Sequence, residues 1–448
     1  MKLMPYSKYK DSGLEWLGEM PEGWRIGPMK HGYEVKLGKM LQTDISGPDD
    51  ELVPYLRAAN IQWGHIASVD VKLMWMSASD RRQLKLDRGD LLVSEGGDVG
   101  RSAIWRNELD ECYIQNSVNR VRSKPDNITD FLYYWMVTIK EKGYVDVLCN
   151  KSTIAHFTAE KVATVPTPFP PLPEQQAIAA FLETQTARID ALIVEYEKLI
   201  TLLKEKRQAL ISHAVTKGLN PDVPMKDSGV EWLGQVPEHW DICSLKRVIT
   251  SITSGSRGWA EHYADDGDIF IRIGNLTRGS YKLNLSDLQF VRVPDDAEAQ
   301  RAKVKSGDIL FSITAYLGSV AVIDDSIGVA YVSQHVALVR PDGTKISPKW
   351  VGYVTLADCG QTYLSIQAYG GTKIQLGLDD VASIPLLLPP LPEQQAIAAY
   401  LDQNTTRMDA LIQQAGTGIE LLKERRTTLI SDAVTGKIDV RGTLELSR

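Results

Sequence analysis

Residues 170–182 read PPLPEQQAIAAFL and residues 389–401 read PPLPEQQAIAAYL, thirteen positions that differ only at Phe181 and Tyr400. The likeness runs on without gaps. Segments 170–193 and 389–412 share 18 of 24 residues, and LLKEKR at 202–207 is answered by LLKERR at 421–426, all at a spacing of 219. A second matched pair, KDSGLEWLGEMPEGWRI at 10–26 and KDSGVEWLGQVPEHWDI at 226–242, shares 12 of 17 residues at a spacing of 216. Between these anchors the likeness fades but keeps register: GDLL at 89–92 matches GDIL at 307–310, and 113–122 matches 331–340, both at 218. A period near half of the 448-residue chain is too long for a solenoid of short repeats. It is a tandem duplication of one unit, composed of a leader, a variable domain and a helix. Whatever the chain folds into, it must fold into it twice.

The repeated stretch builds a long helix. Pro170, Pro171 and Pro173 favour an extended entry, Pro173 is tolerated at the first helical position, and Glu174 suits the positive end of the helix dipole. A helix from Glu174 to Thr216, 43 residues or about 64 Å, is expected. Its apolar residues Ile178, Leu182, Ile189, Leu192, Tyr196, Leu199, Leu203 and Leu210 follow coiled-coil spacing, with Gln185 and Lys206 as polar seam positions. The second copy repeats the plan with Ile397, Leu401, Met408, Leu411, Leu422 and Leu429, and with Asn404 and Arg425 as its polar positions. A bend is expected at Gly416 and Gly418, which cost the helix about 1 kcal/mol each relative to Ala. Joined copies tend to pair as symmetric dimers do, so the two helices are expected antiparallel, as a rod with a variable domain at each end. A centre near residue 195 would place Gln185 close to Arg425 and Lys206 close to Asn404. The leader at 10–26 is expected beside the end of the second helix.

Each variable domain shows short β-like runs: 52–58, 90–94, 102–105 and 117–122 in the first, and 269–273, 308–313, 320–323 and 336–340 in the second. Segments 130–142 and 347–356 read as helices, and short helices are expected from Thr158 and Gly377. The fold class is therefore α/β or α+β, duplicated, with two long helices. Trp16, Leu17 and Trp24, with Trp232, Leu233 and Trp240, read as packing anchors for the leaders. No apolar run reaches the roughly 18 residues of a membrane span, no secretory signal opens the chain, and Cys112, Cys149, Cys243 and Cys359 form no CxxC pair. A cytoplasmic protein is expected. Segment 27–165 carries 18 Lys+Arg against 19 Asp+Glu, and 243–388 carries 14 against 15, so neither has a strongly basic footprint.

Catalytic motifs are missing from the sequence. GGDVGRS at 96–102 departs from the P-loop in spacing and in its Arg, and no HExxH, GxSxG or Cys/His metal spacing occurs. His31, His65, His156, His213, His239, His262 and His335 are scattered. The kept parts are scaffold and the diverged parts form surface, a pattern of recognition and not of one shared reaction. A DNA-modifying enzyme and a two-headed adaptor for proteins or glycans are the competing possibilities.

The paired KDSGxEWLGxxPExW leaders and PPLPEQQAIAxxL…LLKEKRQALI helices resemble the specificity (S) subunits of Type I restriction–modification enzymes, over essentially the whole chain. The resemblance implies two target-recognition domains, at 1–168 and 226–387, and two conserved helical spacers, 169–225 with its linker and 388–448 with its tail. It implies that each domain reads one half of a bipartite double-stranded DNA site, with no catalysis or cofactor of its own. Two modification (M) subunits would bind S-adenosylmethionine and methylate adenine N6, and two restriction (R) subunits would use ATP and Mg. Base readout needs Arg, Lys, Asn, Gln and hydroxyl side chains on loops entering the major groove. In the first domain the candidates for DNA binding are Arg57, Asn60, Gln62, Arg101, Gln115, Asn116 and Lys151. In the second they are Arg257, Arg272, Asn275, Tyr316, Gln334, His335 and Lys373.

Overall fold

The computed structural model describes residues 4–149, 156–230, 232–255, 257–293, 296–368 and 375–443. The chain divides into two compact units, Met1–Tyr196 with Thr417–Arg448, and Glu197–Gly416. Both long helices begin in one unit and end in the other. Each unit therefore contains one variable domain, the first part of one helix and the last part of the other.

The same sheet is built in each unit. In the first it runs Ser102–Ile104, Leu91–Ser94, Val118–Ser123, Tyr33–Leu37, antiparallel throughout. The second repeats that order with Val320–Val322, Ile309–Ser312, Val336–Pro341 and Ile249–Ser254. The central strands read as continuous apolar runs because both faces are covered. Leu91 and Val93 enter the core shared with the helices, whereas Leu92 enters a separate core on the other side. Ile309 and Phe311 likewise oppose Leu310. Beside this sheet lies a smaller one, in which Tyr113–Ile114 runs parallel to Glu51–Leu56, as Ala330–Val332 does to Asp268–Ile271. The second unit adds an edge strand, Tyr263–Ala264.

One ion pair is repeated at the head of each sheet. Arg122 donates from Nε and Nη2 to the buried Asp90 carboxylate, at 2.7 Å each, and Arg340 donates to Asp308 at 2.9 and 2.8 Å. Each carboxylate also accepts a backbone N–H, from Asp87 or Lys305. These bonds and the Asp charge hold both guanidinium pKa values above their ordinary range.

The leaders fold as hairpins, Tyr9–Asp11 with Glu19–Pro21 and Met225–Asp227 with Gln235–Pro237. Leu17, Trp24, Leu233 and Trp240 are buried, and Trp16 and Trp232 are partly so. The first leader lies beside the end of the second helix, as expected. Met4 bridges to Asp439, and the Tyr9 hydroxyl donates to the Gly436 carbonyl at 3.1 Å. The second leader shares a core with Ile211, Ala214 and Val215 of the first helix.

The helices span Leu172–Lys217 and Leu391–Val434, each longer than its pattern implied. The second is helical without a break through Gly416 and Gly418. Within the first unit Asp190 pairs with Arg426 at 2.8 Å and the Tyr196 ring lies against Gly418, so the segments run antiparallel. In the second unit the equivalent contact joins Arg207 to Asp409 at 3.0 Å.

This register corrects the expected polar pairs. With Asp190 facing Arg426, Gln185 falls opposite residues well beyond Arg425; with Arg207 facing Asp409, Lys206 falls away from Asn404. The seam itself is shifted at alternate positions. Leu192 and Leu199 are 50% and 44% exposed, while Ile193 and Ile200 turn inward. Adjacent apolar pairs offered both choices, and the four–three spacing from Ile189 selects the isoleucines. The polar residues drawn inward are consequently Thr186, Arg207, Thr405 and Arg426.

A Cβ at Gly416 would meet nothing within 4 Å, and one at Gly418 would touch Tyr196 at an ordinary 3.5 Å. Neither glycine is sterically required. Gly416→Ala should therefore raise stability by up to about 1 kcal/mol, and Gly418→Ala should not lower it. Thermal melts of the two variants check this; a lower Tm for Gly416→Ala would show that the site needs glycine's freedom.

Candidate nucleic-acid interface

The invariant sequence of the repeat is explained by what it holds. Glu174 is buried, and its Oε1 accepts from Trp24 Nε1 at 3.0 Å and from the Tyr6 hydroxyl. The half-buried Glu393 accepts from Trp240 Nε1 on Oε1 at 3.2 Å, and its Oε2 lies 2.9 Å from His239 Nε2. Gln175 closes a second contact: its carbonyl accepts the Ile128 N–H at 3.1 Å, and its amide donates to Pro170 and Asp126 carbonyls at 2.8 and 3.2 Å. Gln394 binds the Ser347 N–H at 2.9 Å and donates to Pro389 and Lys345. Ile128 and Ser347 are the N-cap residues of Thr129–Glu141 and Pro348–Leu356, and neither caps with its own side chain. The Glu–Gln pair thus ties the leader, the domain's main helix and the long helix into one body.

On that body three segments converge in each unit. The first is a one-turn helix with an identical frame. The Arg57 N–H donates to Asn60 Oδ1 at 2.9 Å, and Asn60 Nδ2 donates to the Ala67 carbonyl at 2.8 Å. Arg272 and Asn275 repeat this at 2.9 Å, with Asn275 Nδ2 bound to Asn284 and Asp287 carbonyls. Both asparagines are only 3% exposed, so their amides hold the turn and face no groove. The paired arginines reach an aspartate each, Arg57 to Asp70 at 2.6 Å and Arg272 to Asp287 at 3.1 Å. Hydrogen bonds from Lys72 and Arg57 hold the Asp70 carboxyl below its ordinary range.

The second segment is the loop 95–101, matched by 313–319. Ser94 and Arg101 close it through a backbone bond of 2.8 Å, as Ser312 and Ser319 do at 3.0 Å. Gly100 and Gly318 have φ of 85° and 84°; where Gly97 has φ 72°, the copy has Ala315 at 60°, a strained position for a side chain. Arg101 turns back to donate to Gln62 Oε1 at 3.1 Å and the Ala58 carbonyl at 3.3 Å, and Gln62 donates to Ala59. Its counterpart in the second unit is Ser319. Tyr316 stands 59% exposed at the tip.

The third segment is the turn 115–117, matched by 333–335. Gln115 accepts from the Ser117 hydroxyl at 2.7 Å, and Ser117 in turn accepts the Ala58 N–H at 3.0 Å. Asn116 is half-exposed and bonds through its backbone to Lys39. In the second unit Gln334 Nε2 and His335 Nε2 lie 3.1 Å apart. Both turns abut a glycine so closely that a Cβ on Gly38 or Gly255 would meet backbone oxygen at 2.3 or 1.8 Å.

The structure therefore brings Arg57, Gln62, Arg101, Gln115 and Asn116 together, and in the copy Arg272, Tyr316, Gln334 and His335. Arg257 is exposed on its own loop. Lys151 and Lys373 lie outside the described residues. Sequence reasoning missed Ser117 and Glu95, which sit within the same convergence. A register comparison at spacing 218 would have flagged Glu95, because its counterpart is Ile313. Among the described residues no cluster of His, Cys, Asp and Glu could hold a metal ion, and no helix is long and apolar enough to cross a membrane. Burial pushes the Cys112 and Cys359 thiols up to about 12 and about 11, which leaves them inert.

The family pattern described as "Type I restriction modification DNA specificity domain" matches residues 22–200 and again 237–421. The chain belongs to this family, as a specificity subunit of the type I restriction–modification class carrying two copies of the domain. It is 24% identical over 438 residues to the EcoKI specificity subunit of Escherichia coli strain K12, covering 94% of this chain and 90% of that one. It is also 24% identical over 433 residues to the MjaVIII specificity subunit of Methanocaldococcus jannaschii, covering 94% of each. Its fold is similar to the HsdS subunit from Thermoanaerobacter tengcongensis (TM-score 0.56, 19% identity, 94% of this chain and 98% of that one). A chain from a study of assembly and conformational transition of the type I R-M system gives TM-score 0.68 at 18% identity, covering 94% and 99%.

Glu174→Ala should cost about 2 kcal/mol or more, because Trp24 and Tyr6 would keep buried donors without an acceptor. Arg101→Ala, at a loop, should cost less than about 1 kcal/mol. Denaturant melts of the two variants give the comparison; equal losses would mean that the Glu174 contact is not what fixes the leader.

Proposed function

We propose that this specificity subunit reads a bipartite site on double-stranded DNA, the first variable domain one half and the second the other. The observation that carries this is the pair of matched frames, equal in backbone and unequal in the side chains they present. In this reading the chain does no chemistry. Two M subunits bind S-adenosylmethionine and methylate adenine N6, and two R subunits supply ATP-dependent translocation and cleavage, in the cytoplasm. The near-neutral domains agree with partners that encircle the DNA and make much of the phosphate contact. Arg57, Gln62, Arg101, Gln115 and Asn116 are the first domain's reading set; Arg257, Arg272, Tyr316, Gln334 and His335 are the second's, with Lys151 and Lys373 as further candidates. Asn60 and Asn275 belong to the scaffold beneath them.

Replacing residues 27–165 by another family member's domain should change one half of the methylated motif and leave the other intact. Methylome sequencing of a host carrying the chimera and its M partner reads this directly. A change in both halves, or in neither, would sink the assignment of one domain to one half-site.

The two long helices, each shared between the units, are the proposed ruler for the unread spacer. Four residues added to each lengthen it by about 6 Å, and base pairs stack at ~3.4 Å, so one to two more spacer base pairs should be required. Two added residues would turn the seam by about 200° and should abolish assembly. An unchanged spacer in an active four-residue variant would show that something else sets the distance.

A further inference from the structure

The first residue of the matched loops differs in kind between the units. Glu95 and Ile313 each follow a buried serine that ends a central strand. The Glu95 N–H donates to the Ser117 carbonyl at 2.9 Å, and the Ile313 N–H to the His335 carbonyl at 3.1 Å. The Glu95 carbonyl accepts from the Phe157 N–H at 2.9 Å, as Ile313 does from Leu376 at 3.0 Å. These four bonds make the positions equivalent. Ile313 packs against its unit's core, so this frame is satisfied by an apolar side chain.

Glu95 puts a carboxylate in that place. The side chain is 14% exposed, Oε2 is buried without a hydrogen-bond partner, and the His156 ring stands 3.9 Å from Oε1, too far for a hydrogen bond. Burial pushes the carboxyl pKa upward. The fold gains nothing that isoleucine does not supply in the copy, and it bears the cost of an unsatisfied acceptor. Such a group calls for an explanation outside the free protein's stability. Its immediate neighbour is the Ser117–Gln115–Ala58 cluster, the centre of the proposed reading set.

Resting on the DNA reading above, we propose that Glu95 is a specificity-determining residue of the first domain. Turned outward from its buried position, its carboxylate accepts a hydrogen bond from the exocyclic amino group of one base in the major groove, N4 of cytosine or N6 of adenine. An ionised carboxylate donates no hydrogen bond. It therefore cannot pair with guanine O6 and N7 or with thymine O4, and it is repelled by phosphate. Among the major-groove groups of duplex DNA the two amines alone complete it, cytosine N4 being its usual partner.

The test uses the complex of the full chain with its M partner, for wild type, Glu95→Ile and Glu95→Leu. After the wild-type motif is mapped, methylation rates are measured on duplexes in which single bases of the first half-site are replaced. Each cytosine becomes 2-pyrimidinone, or each adenine other than the one that is methylated becomes purine, both of which lack the amino group. Wild type should lose roughly tenfold or more at one position. Glu95→Ile should lose that discrimination at the same position only, with the second half-site read as before. Which replacement acts tells cytosine from adenine. Glu95→Ile is expected to assemble, since isoleucine fills this frame in the copy. Should it not, Glu95→Leu, which is apolar and carries no acceptor oxygen, must show the same local relaxation. Unchanged discrimination in the assembled variants overturns the proposal, and so does failure of both variants to assemble, which would make Glu95 structural. Either result leaves the bipartite motif of the wild type standing. Methylation by the wild-type complex without sequence preference would instead sink the DNA reading itself.

Discussion

A carboxylate facing a buried indole N–H is the contact on which each half of this molecule depends. Glu174 with Trp24, and Glu393 with Trp240, join the start of a long helix to the end of a leader. Glu174 and Trp24 could not be buried apart, nor Trp240 without an acceptor, since an unpaired charge or an unpaired N–H is costly in a dry site. Together they fix the angle at which the helix leaves the domain. Gln175 and Gln394 extend the contact to the N-cap of the domain's main helix. Three elements far apart in sequence are thereby referred to one point, and the reading loops inherit their orientation from it.

The scaffold was largely legible because it is written twice. Strands such as Leu91–Ser94 and Ile309–Ser312, and helices such as Thr129–Glu141, fall where short apolar runs and helical spacing placed them. What failed was phase and not existence. Leu192 and Leu199 were as apolar as Ile193 and Ile200, and only packing could choose between them. Gly416 and Gly418 do not break the second helix, because propensity is a weak local term in a helix anchored by Asp190–Arg426 and Arg207–Asp409. Side-chain roles were harder still. Asn60 and Arg101 look alike as candidates in sequence, yet one is buried as a turn lock and the other arches over a neighbouring loop. Distinguishing them needs to know which carbonyls lie nearby, and those come from other strands.

Duplication also supplies a way to sort buried polar groups. Asp90–Arg122, the Asn60 turn, the Glu174–Trp24 bond and the bond from Gln175 to the N-cap N–H recur at equivalent positions in the second unit, at nearly the same distances. Both copies of the frame need them, so their desolvation is offset within the fold. Arg101 on Gln62, Gln334 beside His335, and the unpartnered Glu95 occur in one unit only. The other unit completes the same backbone without them, with Ser319, Ser117 and Ile313 in their places. Their cost is therefore not a requirement of the fold. Those groups cluster on the three convergent segments. The frame is thus rigid where the copies agree and chemically free where they differ, and a surface with both properties can change what it recognises without changing how it folds.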